Sequence, residues 1–241
     1  MLSIIIPTRN EEKVIAGGLK QFLSFKKKYS LELVVSDGES TDKTVEIAKR
    51  FADKIAVRTA GCKHTIAEGR NHGAMVSRGG LLLFFDADVR ISDVDFFLSR
   101  VVKFFESNPK YIAATANLRV YKTEENWVDF LIHELFNRII CFSTNVPFFH
   151  LSKGECQIVR KSAFEKIGGY NEDIVLGEDN DLFWRLCRAG KTYFFKDLVL
   201  YHSPRRFRKE GYGKVLVQYL LTGITLLLFR KSHVKEWKPI R

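Results

Sequence analysis

Short apolar runs alternate with helix-period stretches through the first half of the chain. Leu2–Ile6, Leu31–Ser36, Lys54–Arg58 and the run Gly80-Leu81-Leu82-Leu83-Phe84-Phe85 read as buried strands closed by charge or turn residues. Between them, Glu11–Phe25 carries apolar residues at Val14, Ile15, Leu19, Phe22 and Leu23, the spacing of a helix face. Thr44–Ala52 and Thr65–Ser77 read as further helices. Strand and helix in such alternation predict an α/β fold, with a mostly parallel sheet covered on both faces. The second half changes texture. Asp93–Glu106 reads as a helix, Ile112–Tyr121 as an extended segment, and Ser162–Ile167 and Asp179–Ala189 as short helices. Trp127–Phe142 is a helix apolar around most of its circumference, which implies deep burial or a greasy neighbour.

With 241 residues, 46% of them hydrophobic, the chain is long enough for one large α/β domain with an appendage. Its net charge of +11 is uneven. The stretch from Tyr201 to Arg241 holds ten Lys/Arg against two acids, +8 of the +11. Positive charge concentrated this way points to phosphate groups or anionic lipid rather than to a nucleic acid. Cys62, Cys141, Cys156 and Cys187 are widely spaced, without a CxxC pair or zinc-type His spacing, which suits a reduced, cytoplasmic setting. The start reaches Pro7 too soon for a signal-peptide apolar region.

Polar groups gather at consecutive strand ends. Pro7-Thr8-Arg9-Asn10-Glu11 follows the first strand, Asp37 closes the second, and Asp86-Ala87-Asp88 closes the strand Leu81–Phe85. In open α/β sheets ligands bind beyond the carboxyl ends of the strands. Two carboxylates one residue apart repel each other unless a proton or a cation relieves them. Asn10 and Asp42 equally suit helix caps. Glu178 and Asp179 suit a helix N-terminus, where acids favour the dipole. Asp181 and Arg185 have the spacing of an ordinary ion pair one helical turn apart. There is no GxGxxG after the first strand, no GxxxxGK[ST] loop and no GxSxG elbow.

Six stretches in order carry a resemblance. Ile4-Ile5-Ile6-Pro7-Thr8-Arg9-Asn10-Glu11, Val34-Val35-Ser36-Asp37-Gly38-Glu39-Ser40-Thr41-Asp42, Gly69-Arg70-Asn71 and Phe85-Asp86-Ala87-Asp88 come first. Gly168-Gly169-Tyr170-Asn171-Glu172 and Leu176-Gly177-Glu178-Asp179-Asn180-Asp181-Leu182 follow. Together they resemble the family 2 glycosyltransferases of the GT-A fold over roughly residues 2–202. The resemblance implies an inverting transfer of a sugar from a nucleotide diphosphate sugar, assisted by Mg²⁺ or Mn²⁺. It assigns Pro7, Thr8 and Glu11 to the ribose and base, Asp37 to the base, and Arg70 to the neighbourhood of the nucleotide. Asp86, Ala87 and Asp88 fall on the metal and donor motif, with Asp88 the direct ligand. Asp179 falls on the general base, with Glu178 the alternative, and His202 falls more loosely on a further metal or diphosphate contact. Single displacement needs the leaving diphosphate neutralised and the acceptor hydroxyl deprotonated, tasks for a cation and a carboxylate. Rival readings are a sugar-phosphate nucleotidyltransferase, whose glycine-rich loop Pro7-Thr8-Arg9-Asn10 does not supply, and a non-catalytic membrane-associated module.

These readings divide the chain into a catalytic domain at 1–205 and a basic, apolar helical tail at 206–241. Within the domain, 1–115 is the nucleotide-sugar half and 116–205 the acceptor half. Arg205, Arg206 and Arg208 suit a diphosphate or a solvated basic face. Arg206-Phe207 only partly resembles the Gln-x-x-Arg-Trp motif of processive members, because no Gln stands three residues before the arginine. Val215–Phe229, at ~1.5 Å per residue, reaches about 22 Å, short of a ~30 Å hydrocarbon core. Arg208, Lys209, Lys214, Arg230, Lys231 and Lys235 bracket it, and Trp237 suits a headgroup boundary. A helix lying on an anionic membrane surface is expected, with packing on the domain or on a second copy as the alternatives. A lipid-linked acceptor such as a polyprenyl phosphate follows, with Trp127–Phe142 and Val146-Pro147-Phe148-Phe149 on the greasy side. The protein is then peripheral on the cytoplasmic face.

Overall fold

A computed structural model describes residues 1–57, 65–232 and 234. Arg58, Cys62, Lys235 and Trp237, which figure in the expectations above, lie outside the described residues. Among the described residues eight strands form one sheet in the order β3-β2-β1-β4-β7-β6-β8-β5. β1 (Leu2–Thr8), β2 (Leu31–Asp37), β3 (Lys54–Val57) and β4 (Leu81–Phe85) run parallel. β7 (Cys156–Arg160) joins antiparallel between β4 and β6 (Tyr111–Val120). β8 (Lys191–His202) runs parallel to β6, and the two-residue β5 (Arg90–Ile91) pairs antiparallel with it. The expected mostly parallel sheet is present, with four parallel pairings beside three antiparallel ones among the described residues. β5, β7 and β8 were not anticipated. Their polar residues, such as Gln157, Lys196 and Asp197, break the long apolar runs that betray fully buried strands.

The helices follow the sequence pattern with informative departures. The expected helix Glu11–Phe25 breaks into α1 (Ile15–Lys20), a tight turn at Leu23–Phe25 and α2 (Lys26–Tyr29). Gly18 of α1 explains why the local sequence is a poor helix former. A Cβ there would stand 2.6 Å from the Ala87 carbonyl oxygen, so glycine lets α1 press against the Asp86–Asp88 turn. The second helix, α3 (Thr44–Ala48), is shorter than expected. α4 (Ile66–Val76) starts where Thr65 accepts the Glu68 N–H at 3.1 Å. α5 (Val94–Ser107), capped by Asp93, buries Val94, Phe97, Leu98, Val101, Phe104 and Phe105 in the core behind the sheet.

α6 (Trp127–Ser143) is turned inside out. It begins with a capping box in which Asn126 and Asp129 satisfy each other's backbone N–H groups. Its buried residues include Asp129, His133 and Asn137, a polar stripe, whereas Trp127, Phe130, Leu131, Leu135, Ile139 and Phe142 are exposed. α7 (Lys161–Lys166) and α8 (Glu178–Ala189) pack against the face lined by Leu82, Phe84 and Val159, with Leu182 of α8 in the same cluster.

The C-terminal segment packs on the body of the fold. α9 (Arg205–Glu210) leads into α10 (Tyr212–Phe229), 18 residues with mean hydropathy 1.5 and only 17% buried. Length and composition alone would let α10 cross a membrane, so it is longer than the fifteen-residue run suggested. Its inner residues Val215, Thr222 and Leu226 are buried. Phe136 of α6 meets Tyr219 of α10 with ring centroids 6.2 Å apart.

Candidate active site

The strand ends converge at one edge of the sheet. Asp37, fully buried at the end of β2, accepts from the Thr8 hydroxyl at 3.0 Å and from the Ser40 N–H and hydroxyl at 2.8 and 2.6 Å. These donors fix the carboxylate beside the first strand. Asn10, in a left-handed conformation (φ 57°), accepts the Thr41 N–H at 2.7 Å, and Asp42 accepts from Thr44 and Glu12. The two therefore tie the loops after β1 and β2 together. Glu11 donates its N–H to Thr44 Oγ1 at 2.7 Å. Pro7 lies in register with Ser36 on the neighbouring strand.

Next along the edge, the Asp86–Asp88 turn is braced from behind. Arg90 donates to the Ala87 and Val89 carbonyls at 3.0 and 2.8 Å and to the Val14 carbonyl at 2.9 Å. Ala87 is buried under α1, and Asp88 is buried with its carbonyl accepting from Tyr121. Asp86 is the more open of the pair. Burial, opposed by Arg70 but joined by the charges of Glu155, Asp88 and Glu178, pushes its carboxyl up to about 7.

Arg70 is the centre of the arrangement. Only 1% exposed, it donates to Glu178 Oε1 at 2.8 Å, to Asp86 Oδ1 at 3.1 Å and to the Gly154 carbonyl at 2.7 Å. Its guanidinium lies over the Tyr170 ring, 5.4 Å from the centroid. Burial disfavours its charge, but Tyr170, Asp86 and Glu178 hold it firmly protonated. A residue so enclosed links the Asp86 turn to the start of α8.

Glu178 and Asp179 are separated by this link. The Glu178 carboxylate is engaged by Arg70, whereas the Asp179 carboxylate accepts, among the described residues, from Asn180, at 2.8 Å from its N–H and 3.2 Å from its side chain. Burial together with the Glu178 charge, partly offset by Arg70, pushes the Asp179 carboxyl up to about 8. A carboxyl of that basicity suits proton removal near neutral pH. The α8 N-terminus is positioned from outside by α10. Gly177 has φ +89°, and a Cβ there would stand 2.4 Å from Leu226 Cδ1 and 2.8 Å from Thr222 Cγ2. The tail thus backs the Gly177-Glu178-Asp179 turn.

His202, at the end of β8, is paired with His133. Their Nε2 atoms are 2.8 Å apart, and His202 Nδ1 leans toward Glu155 Oε1 at 3.9 Å. Burial lowers both histidines to about 4, so at neutral pH one donates to the other as uncharged rings. Lys153, buried nearby and brought down to about 8 by that burial, donates to Asn137 Oδ1 at 2.5 Å. Asp181 and Arg185 make the expected ion pair, 2.7 Å apart.

Three participants escaped sequence reasoning. Glu155, which bears on Asp86, Asp179 and His202, sits before the unanticipated β7. His133 was hidden in an apolar helix. Arg205, seen only as one of a basic cluster, reaches Glu11 at 3.2 Å and Asp88 Oδ2 at 3.4 Å. A separate cavity of about 550 Å³ between α4 and α7, bordered by His72, Phe164 and Glu165, lies outside this cluster.

A divalent cation can be tested against this donor set. Among the described residues no three His, Cys, Asp or Glu side chains close on one point as a complete ligand set. A hard ion shared with phosphate oxygens needs only one or two carboxylates. Asp86, crowded by acids and within the field of Asp88, offers that set.

A family model described as glycosyl transferase family 2 matches residues 3–168. A beta-monoglucosyldiacylglycerol synthase from Nostoc is 29% identical over 98% of this chain, which spans about half (53%) of that relative's length. Among solved structures, S. aureus TarS 1-349 in complex with UDP-GlcNAc superposes with TM-score 0.67 at 18% identity, covering 98% of this chain and 68% of TarS 1-349. The mannosyltransferase PcManGT from Pyrobaculum calidifontis, in complex with GDP-Man and Mn²⁺, gives TM-score 0.66 at 18% identity, covering 91% of this chain and 61% of PcManGT. The mixed sheet flanked by helices is the GT-A fold of these neighbours.

Proposed function

The chain belongs to glycosyl transferase family 2, and from that premise we propose that it moves a sugar from a nucleotide diphosphate sugar to a lipid-linked acceptor, with inversion and with a divalent cation. The observation that carries this reading is the separation of two adjacent carboxylates. Glu178 is engaged by Arg70, while Asp179 keeps a basic carboxylate within the field of the same arginine that holds Asp86.

Each residue then has a task. Thr8, Glu11 and the Asp37 carboxylate, with Pro7 beside them, line the place for the nucleoside. Asp88, with Asp86, would hold Mg²⁺ or Mn²⁺, which neutralises the leaving diphosphate as a Lewis acid. Asp179 takes the proton from the attacking acceptor oxygen. Attack from the face opposite the departing diphosphate inverts the anomeric carbon. Arg70 holds the Asp86 turn and Glu178 at a fixed separation, so it is a positioning residue rather than a direct nucleotide contact. His202 with His133 and Glu155 forms the wall toward the acceptor side.

The acceptor side supports a membrane-bound substrate. Exposed apolar residues line α6 and α10, two helices that meet at Phe136 and Tyr219, and Lys209, Lys214, Arg230 and Lys231 bracket the apolar run of α10 in sequence. Apolar area flanked by basic charge suits anionic bilayers. The diacylglycerol product named for the Nostoc relative supports a lipid acceptor. We place the protein peripherally on the cytoplasmic face, which the free thiols of Cys141, Cys156 and Cys187 also suit.

A panel of UDP- and GDP-sugars, read by thermal shift with Mn²⁺ or Mg²⁺, should single out one donor, because binding raises stability with concentration. With that donor, Asp179→Asn is expected to lose turnover and keep the thermal shift. Unchanged turnover would remove Asp179 as the base. Flotation with phosphatidylglycerol vesicles should carry the chain upward. A Leu220→Glu/Leu227→Glu double variant that floats equally well counts against the membrane face.

A further inference from the structure

One contact at the donor edge joins the C-terminal segment to two strand-end acids. Arg205 begins α9 and reaches across the sheet edge to a residue 194 positions earlier in the chain. Its guanidinium holds Glu11 in a two-pronged pair, Nη1 to Oε2 and Nη2 to Oε1, both at 3.2 Å. The same Nη2 stands 3.4 Å from Asp88 Oδ2. Glu11 and Asp88 are nearly buried, whereas Arg205 keeps 31% of its side chain exposed. One partly exposed cation therefore neutralises two enclosed acids from different strand ends.

We infer that Arg205 holds the place of the divalent cation at Asp88 when no donor is bound and transfers to the donor's diphosphate when the cation arrives. This rests on the donor-site reading of Asp88 given above. The logic is electrostatic. A divalent ion approaching Asp88 must displace or repel a guanidinium already paired there, so the ion alone binds poorly. A diphosphate brings anionic oxygens that match the guanidinium fork better than one shared carboxylate does. The two bind together because the diphosphate draws away the competitor of the ion. Cation and nucleotide are thereby coupled, and linkage makes the coupling reciprocal. Arg205 is set at the start of α9, which continues through Gly211 into α10, so the arm that moves is joined to the helix behind Gly177.

The test is Mn²⁺ binding to the full chain, read by electron paramagnetic resonance of the free ion, without and with UDP or GDP. Arg205→Gln is expected to bind Mn²⁺ alone about tenfold more tightly than the parent, the effect of removing one competing charge. The enhancement of Mn²⁺ binding by the nucleoside diphosphate should shrink by about the same factor. Arg205→Lys keeps the charge but not the fork, and should fall between the two while guarding against a folding artefact. Arg205→Gln and Arg205→Lys binding Mn²⁺ alone no better than the parent, while Asp88→Asn abolishes binding, overturns the inference and leaves the donor-site reading standing. Asp88→Asn binding Mn²⁺ as the parent does overturns both.

Discussion

The two edges of the sheet treat buried acids in opposite ways. At the edge where β1, β2 and β4 begin, Glu32 is 3% exposed and fully compensated. It accepts from the Ser3 hydroxyl at 2.7 Å and the Arg78 N–H at 2.7 Å, and pairs with Lys54 at 2.9 Å and the Arg78 side chain at 3.1 Å. Burial alone would raise its carboxyl, but these donors outweigh it and hold the group down to about 2. At the edge where the same strands end, burial and like charges win, and Asp86 and Asp179 rise to about 7 and 8. Carboxylates of one fold give opposite results, because Glu32 meets four donors whereas Asp86 and Asp179 meet fewer donors and more like charge. Shortage of donors is what leaves a carboxylate reactive and a cation wanted, and it costs stability at that edge.

Breaking the undersupplied edge should cost function and no stability. Asp179→Asn is expected to cut turnover about a thousandfold, within the range for a lost general base. Its thermal midpoint at pH 8, without donor or cation, should equal or exceed the parent's, since the variant removes a carboxylate that is unwelcome when charged. A midpoint several degrees lower would mean that Asp179 is a structural cap.

Breaking the compensated edge should do the reverse. Glu32→Gln leaves Lys54 and Arg78 without their counter-charge, and a carboxyl held at about 2 instead of 4.5 corresponds to a loss on the order of 3 kcal/mol. For a chain of this size that lowers the thermal midpoint by roughly 6–12 °C. Turnover per folded molecule, assayed at low temperature, should stay within twofold.

The pH dependence sharpens the contrast because the signs differ. Glu32 has a folded value below its unfolded one, so its contribution is complete above pH 4.5 and is lost as pH falls toward 2. Asp179 has a folded value above its unfolded one, so its penalty is absent below pH 3.8 and grows until about pH 8. The difference in midpoint between Glu32→Gln and the parent should therefore vanish at low pH. The difference between Asp179→Asn and the parent should grow from pH 4 to pH 8. Parallel curves in either pair would contradict the assignment of the charges.

The sequence makes part of the donor edge legible because Asp37 and Asp86 close apolar runs. Asp37 and Asp86 are read as strand ends without any knowledge of tertiary contacts, and the structure places both at the converging edge. Glu155 and Arg205 were illegible for the complementary reason. Glu155 precedes a five-residue strand whose antiparallel place between β4 and β6 is decided by pairing, not by periodicity. Arg205 finds Glu11 across nearly the whole chain. The same holds for α6, in which Asp129, His133 and Asn137 are spaced four apart, yet the abundance of apolar neighbours hid that the polar stripe faces inward. The stripe is inward because Arg208 and Tyr212 meet Asp129, His202 meets His133, and Lys153 meets Asn137.

That inversion yields the smallest expected effect on stability, and a sharp one on partition. In an ordinary amphipathic helix such as α5, replacing a leucine of the apolar stripe opens a cavity and costs several kcal/mol. Leu135 lies on the apolar stripe of α6 but is 57% exposed. Leu135→Ser should therefore change stability by no more than about 0.5 kcal/mol, as for a surface site. If the exposed stripe serves a bilayer, the same substitution weakens flotation with phosphatidylglycerol vesicles and raises the acceptor concentration needed for half-maximal rate, leaving donor binding alone. A Leu135→Ser protein that loses several kcal/mol instead is one whose α6 is covered in solution, and the outward apolar face would then belong to a second copy of the chain.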